Sequence, residues 1–297
     1  MDSCLAIDIG GTKLAVGVVS GDGQLLSKRA VPTPSDTGPD ALFGVLEGLV
    51  TDVLMEHRGL VACGVGCGGP MSAHGEEVSP LNIPAWTGFP LRSRLAELTG
   101  LDVTVENDAK ALAIGEGWVG AARGRRNFMA MVVSTGVGGG IVLDGRLLDG
   151  RLGNAGHVGH VIVEPDGREC ACGARGCLEA EASGKSITEM TGRPPAEAAP
   201  EVISRTGTLV GLAVASVSSL LDLDLTVVAG SVALGFGDQF FEAASAELSK
   251  RARLEFSCRA RVNRAGLGSD GPLVGAGAVA WRADGRDLIG TAAGGSR

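Results

Sequence analysis

Two glycine-rich turns, each set between a pair of strand-like runs, constrain this chain more than any other feature. Residues 5–9 (LAIDI) and 14–19 (LAVGVV) flank Gly10-Gly11-Thr12-Lys13. Residues 128–134 (FMAMVVS) and 141–143 flank Thr135-Gly136-Val137-Gly138-Gly139-Gly140. Short apolar runs rich in Val and Ile and broken by Gly read as hairpin strands. Helix and strand patterns alternate after each hairpin. The repetition predicts a duplicated α/β architecture, with a cleft between the halves to which each half brings its glycine turn.

The remaining elements follow from spacing. Residues 25–31 form a third strand after the Gly21-Asp22-Gly23 turn. A helix is predicted over 39–57, with Leu42, Val45, Leu46, Leu49, Val53 and Leu54 on one face. Then come a strand at 60–66, a Gly/Pro-rich loop to 89, a short helix at 90–98 and a strand at 103–105. A helix opens at Asn107-Asp108, either of which suits an N-cap. Further helices are expected at about 178–191, 206–221, 236–252 and 272–282, strands at 225–229 and 260–265, and a linker at 192–200. The last dozen residues read as frayed. The expected domains are 1–110 plus about 275–297, a small α/β domain, and 111–274, a larger α/β domain carrying the loop 153–180.

That loop holds His157, His160, Cys170, Cys172, Cys177 and Glu179. The spacing His-x9-Cys-x-Cys-x4-Cys offers one imidazole and three thiolates, the set of a closed tetrahedral structural Zn²⁺ site with no position for water. The net charge of −8 argues against broad nucleic-acid binding. Seven Cys without a leader pattern favour a reducing cytoplasm, with thiols free or on metal. No run of about 18 apolar residues is present, so no membrane span is expected.

Asp8-Ile9-Gly10-Gly11-Thr12-Lys13 combines close backbone N–H groups, a hydroxyl and an ammonium for phosphate oxygens, and a carboxylate for Mg²⁺. The turn from Ser134 to Gly140 is a second cradle of the same type. Asn107-Asp108 ends a strand, where open α/β sheets place their ligands. A carboxylate there can take the proton of an attacking hydroxyl, and an amide can hold adjacent hydroxyls by donor and acceptor. Position alone leaves Asp108 open as a helix cap or as a base.

These motifs, with Glu106-Asn107-Asp108, Gly156-His157-Val158-Gly159-His160 and Cys170-x-Cys172-Gly173-x-x-Gly176-Cys177-Leu178-Glu179, resemble the ROK family from residue 5 to about 282. Its members are bacterial sugar kinases and related repressors. The resemblance implies an actin-like (ribonuclease-H-like) duplicated two-domain fold closing on a hexose and ATP. It implies Asp108 as general base toward the sugar 6-hydroxyl and Asn107 on the 3- and 4-hydroxyls. Gly69 would line the sugar pocket. Glu179 and His160 would reach the sugar's other side, with His160 also on zinc. Thr12, Lys13, Thr135 and Gly136 would hold ATP phosphates, Asp8 would stand near Mg²⁺, and Gly230-Ser231 would meet the adenosine. A homodimer is the family's usual assembly.

One position departs from the family pattern. Its sugar kinases usually read Glu-x-Gly-His where this chain reads His157-Val158-Gly159-His160. A carboxylate accepts several hydroxyl protons, whereas a neutral imidazole offers one donor and one acceptor. Glucose is the default substrate that the resemblance implies, and His157 makes an amino sugar or N-acetylhexosamine (3-amino-3-deoxyglucose or N-acetylmannosamine included) the alternative. A non-catalytic sugar sensor is the competing class. The family's repressors carry a DNA-binding segment ahead of the first motif. That motif starts here at residue 8, and an enzyme is expected.

Overall fold

The computed structural model describes residues 2–35 and 37–290. In chain order the first elements are β1 (Ser3–Ile9), β2 (Lys13–Ser20), β3 (Leu25–Pro32), α1 (Pro39–Glu56), β4 (Cys63–Cys67), α2 (Leu91–Thr99), β5 (Val103–Asn107) and α3 (Asp108–Trp118). Next are β6 (Phe128–Val133), β7 (Val137–Leu143), β8 (Arg146–Leu147), α4 (Leu178–Ala182) and α5 (Gly184–Thr191). The chain ends with α6 (Pro200–Leu221), β9 (Leu225–Ala229), α7 (Ser231–Arg251), β10 (Arg261–Arg264) and α8 (Gly271–Ala283).

The duplication is explicit in the two sheets. One has the order β3-β2-β1-β4-β5 and the other β10-β9-β6-β7-β8, the same topology read from the opposite edge. In each, the first two strands form an antiparallel hairpin and two later strands add in parallel. The parallel strands need crossover helices, which is why helix and strand alternate after each hairpin.

The chain divides into two compact units. The first comprises Met1–Gly124, Leu147–Ala155 and Leu267–Arg297; the second comprises Arg125–Arg146 and Gly156–Gly266. In the first, Leu5, Ile7 and Ile9 of β1 share a core with Leu42, Phe43, Leu46, Val50 and Val53 of α1. From α8, Trp281 Nε1 donates to the Ser20 carbonyl at 3.1 Å. In the second, β9 is buried along its whole length. Among the described residues only α6 is long and apolar enough to cross a membrane by length. Its Leu209, Val210, Ala213, Val214 and Val217 are instead buried in its own unit.

Several boundaries differ from the sequence expectation. The helix expected over 178–191 is two helices, because Ser183 is extended (φ −72°, ψ 155°) and its side chain accepts the Ser186 N–H as an N-cap. Helix α6 begins at Pro200 rather than 206, with proline in its first turn, where a missing N–H costs nothing. Helix α7 begins at Ser231 rather than 236. Gly138, Gly139 and Gly140 belong to β7 and not to the turn before it. The end of the stretch expected to fray, 291–297, lies outside the described residues.

Candidate active site and metal centre

Strand register assembles the first half of the site. Asp8 pairs with Gly66 and Gly66 with Glu106, while Ile9 pairs with Cys67 and Cys67 with Asn107. Asp8 and Asn107-Asp108 therefore lie at the same end of the two strands that flank β4. The hairpin turn between β1 and β2 is closed by the Gly10 N–H donating to the Lys13 carbonyl at 3.0 Å. It is pinned by the Thr33 hydroxyl donating to the Gly10 carbonyl at 2.7 Å. This leaves Thr12 exposed and Lys13 partly exposed.

Asp8 is only 9% exposed. Burial, followed by the neighbouring Asp108 carboxylate, pushes its pKa up to about 7 against the opposing pull of Lys13 and Lys28. A buried carboxylate raised this way fits a cation site, since a divalent ion would restore its charged form. Gly69 precedes a cis bond to Pro70. Its carbonyl accepts the Leu81 N–H at 3.2 Å, which ties the Gly66–Pro70 loop to residues 80–82. Sequence reasoning missed Asn82. Its side chain lies over Gly11, where a Cβ would stand 2.8 Å from the Asn82 Cβ, and its Oδ1 faces Gly68. No local motif marks it, because the contact is made across about seventy residues of chain.

The cap of α3 is assigned by hydrogen bonds. Asn107 is the N-cap of α3: its Oδ1 accepts the N–H of Ala109 at 3.1 Å and of Lys110 at 3.3 Å. Both acceptor sites of that oxygen are used, which leaves the Nδ2 donors as the part of the Asn107 amide that could meet a ligand. Asp108 is the first helical residue and half-buried, with Oδ1 accepting the Ala109 N–H at 2.8 Å. The partial positive charge of the α3 N-terminus favours its carboxylate.

In the second unit, the turn after β6 is held by the Ser134 N–H donating to the Gly136 carbonyl at 2.9 Å. The first N–H groups of α5 cap it from outside, Gly184 donating to the Ser134 carbonyl at 2.7 Å and Lys185 to the Thr135 carbonyl at 3.2 Å. The Ser134 and Ser231 hydroxyls are 2.9 Å apart. Thr135 and Ser231 line one cavity of about 720 Å³ with Lys185, Thr188 and Phe236. Gly230 caps α7 with φ 101°, a conformation that favours glycine. The α5 contribution to this cavity, Lys185 and Thr188, was not read from the sequence, where nothing signalled the break at Ser183.

Glu179, in the first turn of α4, accepts the Val137 N–H through Oε2. Gly159 permits this approach. A Cβ there would lie 2.2 Å from the Val137 carbonyl and 3.2 Å from Glu179 Oε2. Gly136 also abuts the carboxylate, with Glu179 Oε1 3.0 Å from where its Cβ would be. The His157 and His160 rings are stacked with centroids 6.2 Å apart.

The expected ligands converge. One donor atom from each of His160, Cys170, Cys172 and Cys177 lies within 4.8 Å of the others. His160 Nδ1 is 3.8 Å from Cys170 Sγ, and Cys172 Sγ is 3.7 Å from Cys177 Sγ. Zn–S bonds of about 2.3 Å in a tetrahedron put ligand atoms about 3.8 Å apart, so the residues fit zinc. The loop is ready-folded: Cys170 N–H donates to Ala174 at 2.8 Å and Gly176 N–H to Arg168 at 2.9 Å. Burial pushes the Cys177 thiol up to about 12, whereas the Ala174 backbone N–H pulls the exposed Cys172 thiol down. Metal entry therefore has to displace thiol protons.

The model of the ROK family matches residues 4–283. A glucokinase of Thermotoga maritima is 43% identical over 187 residues, covering 62% of this chain but only 58% of that protein. An N-acetylmannosamine kinase of Citrobacter koseri is 37% identical over 252 residues, covering 79% of this chain and 85% of that protein. Among solved structures, a ROK family glucokinase from Streptomyces griseus in complex with glucose and AMPPNP superposes with a TM-score of 0.84 at 29% identity, covering 94% of this chain and 99% of that one.

Proposed function

The chain belongs to the ROK family, and on that premise we propose that it is an ATP-dependent hexose kinase phosphorylating the 6-hydroxyl of glucose or a closely related hexose. The observation that carries this reading is the division of labour at the end of β5. Asn107 takes over the cap of α3, and its neighbour Asp108 stands in the helix's first turn with a carboxylate beside Asp8. Phosphoryl transfer asks the protein for one base, positioned donors and charge neutralisation.

Asp108 accepts the proton of the 6-hydroxyl as that oxygen attacks phosphorus. Asn107 Nδ2 donates to a neighbouring hydroxyl. Glu179, His160 and Gly69 supply further sugar contacts. Thr12 and Lys13 on one glycine turn, and Thr135 and Gly136 on the other, hold phosphate oxygens, while Gly230 and Ser231 meet the nucleoside. Mg²⁺ beside Asp8 would neutralise phosphate charge. Zn²⁺ on His160, Cys170, Cys172 and Cys177 would order the loop presenting Glu179. A homodimeric state carries over from the family resemblance alone, and a cytoplasmic setting from the cysteine usage.

His157 supports a second reading, a kinase for an amino sugar or N-acetylhexosamine. Its imidazole cannot accept the pair of hydroxyl protons that a glutamate would. A coupled assay over glucose, mannose, glucosamine, N-acetylglucosamine, N-acetylmannosamine and 3-amino-3-deoxyglucose, with NMR of the product, separates the two. ATP-dependent formation of a 6-phosphate is expected. No phosphorylation of any hexose, or phosphorylation at another hydroxyl, would overturn the proposal. In His157→Glu the ranking of sugars should move toward glucose; an unchanged ranking removes His157 from the specificity set.

A further inference from the structure

Lys110 lies two residues after Asp108 and is 1% exposed, so its ammonium has left water. A buried ammonium is tolerated when its three N–H donors are matched. Three acceptors meet it. Asp149 Oδ1 lies at 2.9 Å, the Gly153 carbonyl at 3.0 Å and Glu106 Oε1 at 3.1 Å. The same Glu106 oxygen accepts the Asn107 backbone N–H at 3.0 Å.

All these groups belong to the first unit. Asp149 and Gly153 reach it through Leu147–Ala155, a segment that joins this unit although the chain before and after it belongs to the other. The segment is closed on itself by the Ala155 N–H donating to the Asp149 carbonyl at 3.0 Å. The chain then runs directly into Gly156-His157. One ammonium therefore ties the strand end that carries Asn107-Asp108 to the segment that leads into the His157 turn. Stability alone is a poor reason for the arrangement. A buried ion pair is often matched or surpassed by apolar residues of similar size, whereas a three-pronged cation fixes geometry.

We propose that Lys110 is a positioning residue for the sugar. It clamps 149–153 to the Glu106–Asn107 turn, and so sets the donor geometry of Asn107 and the starting point of the 156–160 turn. This rests on the kinase reading of the site. A displacement of about 1 Å at reacting groups costs on the order of a hundredfold. Lys110→Met should therefore raise the sugar KM by about tenfold to a hundredfold, while the ATP KM stays within about twofold. Lys110→Arg should restore part of the loss. Asp149 is 53% exposed in its side chain, so Asp149→Asn keeps the fold and removes only one charged prong. It should raise the sugar KM about threefold to tenfold and speed hydrogen exchange of the amides at 149–155. An unchanged sugar KM in Asp149→Asn, or equal losses toward sugar and ATP, would overturn the proposal. Lack of hexose phosphorylation by the unaltered protein would instead overturn the kinase reading and with it the sugar role. The exchange of 149–155 would still decide whether the clamp exists.

Discussion

Glu179 accepts a hydrogen bond from the Val137 N–H at 2.5 Å, so the helix that follows the last zinc-site thiol is locked to the second glycine turn. On the proposed kinase reading, the carboxylate would serve the sugar and the phosphate turn at once. A charge-assisted hydrogen bond of this kind contributes about 1.5–3 kcal/mol. Glu179→Ala should raise the KM of both sugar and ATP by roughly tenfold or more. Glu179→Gln, which keeps an acceptor for Val137, should spare ATP and penalise the sugar. Steady-state kinetics with each substrate varied in turn checks the split; equal effects of the two variants on ATP would contradict it.

Asp108→Asn removes the base but leaves an oxygen to accept the Ala109 N–H. General-base contributions are about a hundredfold to ten-thousandfold, so kcat should fall by that much. Sugar binding measured by calorimetry should change less than about fivefold, because Asn107, and not Asp108, caps the helix. A variant turning over near the wild-type rate would remove Asp108 from the role of base.

One zinc per chain is expected by metal analysis. Cys172 is the exposed ligand, and Cys172→Ser should lose the metal without leaving a core cavity. Glu179 lies two residues beyond Cys177, so metal loss or chelation should weaken sugar binding about tenfold or more. Zinc content and sugar affinity unchanged in Cys172→Ser would exclude the site.

Asp8 makes stability depend on pH with a definite sign. Its folded pKa of about 7 lies above the ordinary aspartate value of 3.8, so the folded state binds the proton more tightly. Stability is full below about pH 4, falls as pH rises toward 7 and is flat above. The swing is at most roughly 4 kcal/mol. Asp8→Asn, which cannot ionise, should therefore be more stable than wild type above pH 7 and lose that advantage on acidification. Mg²⁺ should raise the melting temperature of the wild type at pH 8 and not that of Asp8→Asn. Thermal melts at pH 5 and pH 8, with and without Mg²⁺, test both statements.

Much of the site was legible because it is local in sequence. The hairpins and their glycine turns are set by apolar runs broken by Gly, within twenty residues each. The four candidate metal ligands lie within eighteen positions, and their spacing predicted a donor set that the fold brings within 4.8 Å. The duplication followed from the same pattern occurring twice, and the two sheets repeat one strand order.

What the sequence left open was settled by the folded arrangement of polar groups, near and far in the chain. Whether Asn107 or Asp108 caps α3 depends on which side chain turns back to the amides, and both have the chemistry to do so. The break at Ser183 arises where Gly184 and Lys185 donate to the turn at 134–135, about fifty residues away. Lys110 reads in sequence as an ordinary helix residue and becomes a buried cation only because Asp149 and Gly153 come back to it. Local pattern determined the parts, since backbone geometry and side-chain chemistry act over a few residues. Tertiary structure decided which polar groups are spent holding the site together, since each donor and acceptor has only a few hydrogen bonds to give.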